Sequence, residues 1–233
     1  MNTTSLFTFL NELEANNSKD WFDEHRDEYK ALRAEFVEYF KSLVQKLQVF
    51  DPTLNEVTPK NAIFRINRDV RFSKDKSPYK PYFSAVMAMH GGKKSPYAWW
   101  YIHFQPGNRT VCGTWLYMPS KEVTAAMRAK LVVSWKKFKT IVQDRSFVDQ
   151  FGLLQWRSLK RAPKWYESDA ERIQYIRMKD WYVMREFEDK EVATLDTFTQ
   201  QAILCYKTAL PFRDFCNSAV QESLEIQADT SRK

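Results

Sequence analysis

Five glycines in 233 residues leave this chain almost nothing with which to wind a backbone cradle for phosphate. Phosphate loops are built from glycine because backbone amides must approach the anion with no side chain in the way. No G-x-G-x-x-G, P-loop or G-x-S-x-G pattern occurs, so any phosphate held here is held by side chains. Histidine is scarcer still: His25, His90 and His103 are the only three, and no two have metal-ligand spacing. The cysteines Cys112, Cys205 and Cys216 are scattered and include no C-x-x-C. No metal site is therefore expected, and no motif asks for a cofactor. An odd number of dispersed thiols reads as buried free cysteines in a reducing cytoplasm. No run reaches the roughly 18 apolar residues of a membrane span. The opening MNTTSLFTFLNELE lacks the basic region of a signal peptide. The expected protein is cytoplasmic and not membrane-bound.

What the chain does have is aromatic mass and charge. Eight tryptophans, eleven tyrosines and seventeen phenylalanines suit a well-packed domain, and the length suffices for a sizeable core. The net charge of +7 is unevenly spread. Residues 1–59 carry −5, residues 60–166 carry +16 and residues 167–233 carry −4. Either the acidic ends fold over the basic middle, or the middle presents a basic face to phosphate-bearing partners, nucleic acid among them.

Leu6, Phe9, Leu10 and Leu13 predict an amphipathic helix over residues 4–15. Asn17 or Ser18 caps the next, a single long helix marked by Phe22, His25, Tyr29, Leu32, Phe36, Phe40, Leu43 and Leu47 and stopped at Asp51-Pro52. Ala62–Asn67, Tyr82–Met89, Trp99–Gln105, Thr110–Tyr117 and Asp180–Phe187 read as strands, about five in all. Gly91-Gly92 and Pro106-Gly107-Asn108 form turns too short for crossover helices, which predicts an antiparallel meander. Val123, Met127, Leu131, Trp135, Phe138 and Val142 mark one helix to about residue 143. Ser168 and Glu171 have the spacing of a capping box. Helices over 194–208 and 211–226 close the chain, with Pro211 in a first turn. The expectation is one α+β domain over residues 1–226. It has a helical part (1–50), a strand-rich part (60–117), a mostly helical part with one further strand (119–226) and a frayed tail (227–233).

One segment stands apart. Residues 65–79, RINRDVRFSKDKSPY, hold three arginines, two lysines and two aspartates around Phe72 and Tyr79. If strand alternation continues past Arg65, then Asp69 and Arg71 share its side while Val70 and Phe72 face the core. Guanidinium forks suit phosphate and carboxylate, so Arg65, Arg68, Arg71 and Lys76 are candidates to grip an anion. Tyr79 is the candidate hydroxyl donor, and Asp69 is placed to orient arginines or act as a base. Such a cationic field suits a metal dication poorly. The competing reading makes Asp69 and Asp75 internal partners that pin the loop, a structural ion-pair network within a scaffold.

The spacing Arg65, Arg68, Asp69, Arg71, Phe72, Asp75, Lys76, Tyr79 resembles the signature R-x-x-R-D-x-R-F-x-x-[D/N]-K-x-x-Y of a widespread, mainly bacterial family, domain of unknown function 2461. Asn16-Asn17, Trp21-Phe22, His25-Arg26 and Tyr29 resemble that family's N-terminal N-N-x-x-x-W-F-x-x-H-R-x-x-Y pattern. Leu159-Lys160-Arg161-Ala162-Pro163 is similar to its basic L-K-R-x-P element. The resemblance covers most of the chain and implies no reaction. One departure is plain: Trp165 stands where the family pattern leads one to expect glycine.

Two further places invite function. His25, with Trp21 and Tyr29 one turn to either side, is either a packed, hydrogen-bonded histidine or an acid–base group. Arg157, Lys160, Arg161 and Lys164 interleave with Trp156, Trp165 and Tyr166, the composition of single-strand binders. A segment whose aromatics pack while its charges are solvated would read the same. No nucleophile identifies itself; any turnover would be acid–base or phosphoryl chemistry on a small anionic substrate. Three functions remain: a side-chain-built anion pocket, a nucleic-acid module, or a scaffold with an ion-pair staple.

Overall fold

The computed structural model describes residues 1–154, 157–167 and 170–231. Helix α1 (Thr3–Ala15) starts where the Asn2 side chain accepts the Ser5 amide at 3.0 Å, and it buries Leu6, Phe9, Leu10 and Leu13. Ser18 caps α2 (Lys19–Glu24), as expected, but the long helix is broken at His25. The His25 ring donates to the Trp21 carbonyl (2.8 Å) that already accepts the His25 amide (3.1 Å). That local competition ends α2. The chain re-enters helix as α3 (Arg26–Gln48), which buries Leu32, Phe36, Tyr39, Phe40, Leu43, Val44 and Leu47.

After a 3-10 turn at Pro52–Leu54 comes the short α4 (Pro59–Ala62). Four strands, β1 (Phe83–Met87), β2 (Trp99–Phe104), β3 (Thr110–Leu116) and β4 (Trp181–Phe187), form one antiparallel sheet in the order β1-β2-β3-β4. The fold is α+β with a meander. The expected fifth strand at 62–67 is instead two isolated bridges, Ile63 with Ala85 and Asn67 with Tyr79, separated by a bend at Ile66.

Between β3 and β4 lie α5 (Lys121–Val133), α6 (Trp135–Val142), α7 (Arg145–Phe151) and α8 (Ile173–Ile176). The single helix expected to residue 143 is interrupted at Ser134, and the Ser168 capping box lies outside the described residues. After α9 (Asp189–Val192), α10 (Leu195–Ser231) runs through Pro211 without stopping and includes most of the expected tail. Its apolar stripe, Cys205, Tyr206, Ala209, Phe212, Phe215, Cys216 and Ala219, is buried on both sides of the proline. Burial of that stripe outweighs the roughly 3 kcal/mol a helix-interior proline costs.

The chain divides into two compact units. One comprises residues 1–94, 101–112 and 186–204, with Phe36, Phe83, Phe104, Phe187 and Phe198 in edge-on ring contacts at its centre. The other comprises 95–100, 113–185 and 205 onward, where Phe138 packs on Phe212 and Phe215 and Trp100 on Tyr206. Among the described residues, no helix is long and apolar enough to cross a membrane.

Candidate anion-binding site

The motif segment lies in the first unit. Its stem is antiparallel: Phe64 donates to the Ser84 carbonyl (3.0 Å), Lys80 to Ile66 (2.8 Å) and Arg68 to Pro78 (2.8 Å). Residues 69–77 form the loop that closes this stem. Inside the loop, acids meet bases. Arg71 grips Asp69 with both prongs, Nε to Oδ1 at 2.9 Å and Nη2 to Oδ2 at 2.7 Å. Arg68 pairs with Asp75, whose Oδ1 also accepts the Ser77 amide (2.9 Å) and hydroxyl (2.6 Å). Lys76 donates to the Val70 carbonyl at 3.0 Å. Hydrogen bonds from Ser77 and Arg68 hold the Asp75 carboxyl far below the usual range, and Arg71 lowers that of Asp69. A carboxylate so held is a weak general base at neutral pH. The turn from Val70 to Ser73 ends strand alternation, so Phe72 is 97% exposed rather than core-facing.

Tyr79 has a structural role. Its ring is 6% exposed and stacks on Phe22 with centroids 4.0 Å apart. Its backbone N–H and C=O both bond the Asn17 side chain at 3.0 Å, a side chain imitating a strand partner. Phe22 contacts Tyr29, and Tyr29 meets Phe83 edge-on. The N-terminal pattern and the Arg65–Tyr79 motif are thus two halves of one joint. His25 stacks on Trp21 (3.9 Å) and donates to the Trp21 carbonyl, while Arg26 pairs with Asp23.

Arg65 makes no ion pair among the described residues and sits in a cationic group, although its charge also lowers the Asp69 carboxyl. Lys80 and Lys93 lie against Phe64, their ammonium groups 5.5 and 5.7 Å from the ring centroid. Lys80 donates to the Arg65 carbonyl (2.9 Å) and Lys93 to the Ile63 carbonyl (2.7 Å). Burial first, then the charges of Arg65 and Lys93, push the Lys80 ammonium below its ordinary pKa. Burial and Arg33 do the same to Lys93. Among the described residues, no carboxylate pairs with Arg33, Arg65, Lys80 or Lys93. Gly92 makes this possible. A Cβ there would sit 2.4 Å from the Asn61 carbonyl oxygen, and the bare backbone lets the Lys93 amide reach that oxygen at 3.0 Å. Sequence reasoning missed Lys80, Lys93 and Arg33. Lys80 adjoins the motif and Lys93 follows the glycine pair, but the contact with Phe64 exists only in three dimensions.

On the same unit, the half-buried side of β2 carries a polar chain. Tyr101 Oη is 2.8 Å from His103 Nδ1, and His103 Nε2 is 2.8 Å from Gln105 Oε1. Tyr82 stacks on His103 at 4.2 Å, and Tyr101 meets Phe64 edge-on. Burial pushes the His103 imidazole down to about 4, so it is neutral at pH 7. Since Gln105 Oε1 can only accept, Nε2 carries the proton and Nδ1 accepts from Tyr101. No group of three or more potential metal ligands occurs among the described residues.

The other basic segment lies in the second unit. Arg157 is engaged by buried Asp180 at 2.6 Å, so it leaves the set of free cations. Lys160, Arg161 and Lys164 are exposed, Trp165 is 89% exposed with Lys164 over its ring at 4.8 Å, and Trp156 lies outside the described residues.

The model of a family described as a conserved hypothetical protein, DUF2461, matches residues 5–215. No curated protein and no solved structure matches.

Proposed function

The chain belongs to the DUF2461 family, and from that premise we propose that it binds a small phosphate- or carboxylate-bearing ligand on the cationic face around Phe64. One observation carries the reading: the charges of Arg65 and Lys93 bear on Lys80 and that of Arg33 on Lys93, and none of the four forms an ion pair with a carboxylate among the described residues, although the field of Arg65 also reaches Asp69. Like charges brought together and partly desolvated raise the energy of the empty site, and an anion relieves that repulsion. Arg65 supplies a fork for bidentate contact, and the two lysines supply point charges. Arg68, Arg71, Lys76 and Tyr79, candidate ligand groups by residue type, serve here to hold the loop and stem that carry Arg65. His25 and Asp69 are each engaged elsewhere, so the reading assigns no proton transfer.

The test is a thermal-shift and calorimetric screen of inorganic phosphate, phosphorylated metabolites and small dicarboxylates at low and high salt. Wild type is expected to be stabilised by at least one anion class. Lys80→Gln with Lys93→Gln should weaken that binding by roughly tenfold or more, the loss of about two charge-assisted contacts at or below 1.4 kcal/mol each. Arg68→Ala should weaken it less than the double lysine change, acting only through the loop it holds. Retention of binding by the double lysine variant, or silence across the whole screen, would overturn the reading.

A further inference from the structure

We propose that Lys160, Arg161, Lys164 and Trp165 form a binding face for single-stranded nucleic acid, with Trp165 as the stacking platform for a base and the three cations along the phosphates. This face lies wholly in the second unit and does not depend on the anion site around Phe64.

The first observation is the exposure of Trp165. A segment of this composition whose aromatics merely complete a core would bury its tryptophan; this one is 89% exposed. The second is the backbone that presents it. The Tyr166 amide bonds the Pro163 carbonyl at 3.2 Å, closing a four-residue turn with Trp165 in its third place at φ +76°. Lys164 is not among the residues of positive φ, so the turn is of type II, whose third position favours glycine. A bulky aromatic there holds a strained conformation, and its ring is held out from the fold.

The third observation is charge. Lys160, Arg161 and Lys164 are exposed and have no acidic partner among the described residues. Neighbouring arginines are already committed: Arg157 to Asp180, and Arg177 to the carbonyls of Leu159 (2.7 Å) and Lys160 (2.9 Å). Those contacts, with the bridge between Ser158 and Met178, anchor the start of the segment at residues 157–160. Beside Trp165 runs a groove of about 500 Å³, lined by Val132, Val133, Tyr166 and Ile176 and also by one acid, Glu167, and one further cation, Arg172. An unstacked base has an apolar face for that groove and for the indole, and a phosphate for each cation.

The experiment is fluorescence anisotropy of the whole chain with labelled oligothymidine and oligouridine of about 20 nucleotides, at about 50 and 200 mM salt. Wild type should bind both, more weakly at the higher salt. Trp165→Ala should weaken binding roughly tenfold, and Trp165→Phe should restore most of it. Replacing Lys160, Arg161 and Lys164 with alanine should lower the salt slope by about 2. All these positions are exposed, and melting curves verify folding of each variant. No binding at the lower salt, binding indifferent to Trp165→Ala, or capture by anionic phospholipid vesicles without oligonucleotide binding would overturn the proposal.

Discussion

Two basic segments that also carry aromatics end up in different states. In residues 65–79, Arg68 and Arg71 are paired with Asp75 and Asp69 at the surface, and Tyr79 is buried. In residues 157–166, three of four cations point to solvent beside an exposed tryptophan. The difference follows from where the acids lie in the chain. Asp69 and Asp75 are close enough in sequence to reach the arginines within one loop. The later segment has no acid before Glu167, and its one engaged cation, Arg157, depends on distant Asp180. A run of arginines therefore means little until its carboxylates are located. The first segment is a loop clamped by its own charges, and its Arg65 lies with Lys80 and Lys93, which belong to no part of the motif. The second leaves its charges available.

The comparison breaks most readily at the aromatic residues. Tyr79→Ala should cost about 3–5 kcal/mol in denaturant unfolding, because it empties a buried ring site against Phe22. Trp165→Ala should change stability by no more than about 0.5 kcal/mol. Tyr79→Phe should also be mild; a large stability loss from it would give the hydroxyl a role that packing does not explain. Next in size, Asn17→Ala removes both bonds to the Tyr79 backbone and should cost about 2 kcal/mol, read as a lowered denaturation midpoint. Smaller again, Trp165→Gly should be more stable than Trp165→Ala by about 1 kcal/mol, since glycine accepts positive φ freely. If alanine proves the more stable, the left-handed turn is not the reason for the ring's display.

The smallest effect concerns pH. The Asp69 and Asp75 carboxyls are lowered in the folded chain, so their contribution is present above the ordinary carboxylate pKa of about 3.9 and is lost as pH falls through the lower folded values. Both are exposed, and solvent screens them. Asp75→Asn should therefore lower stability slightly at neutral pH and flatten the acid side of the stability–pH curve. A strong neutral-pH loss would mean that the loop pairs bear far more of the fold than their exposure allows.

Much of the fold was legible in the chain. The four main strands, the first helix and the Ser18 cap fall where periodicity and turn residues put them. The errors share a cause. The His25 and Ser134 breaks and the uninterrupted passage through Pro211 depend on what a local side chain or a buried face contributes, and helical spacing does not report it. The site was half legible. Arg65 and the free cations of 157–166 could be named from residue type, whereas the pairing that removes Arg68, Arg71 and Arg157 could not.

By itself, the sequence determined the helix and strand types, the meander and the absence of a glycine cradle. These depend on residue type and on spacing along a few turns of chain. Tertiary structure alone decided which cations were neutralised, that Lys80 and Lys93 meet at Phe64, and that Asn17 and Phe22 meet Tyr79. Coulomb and stacking interactions act over a few ångströms of space, and separation along the chain does not measure that distance.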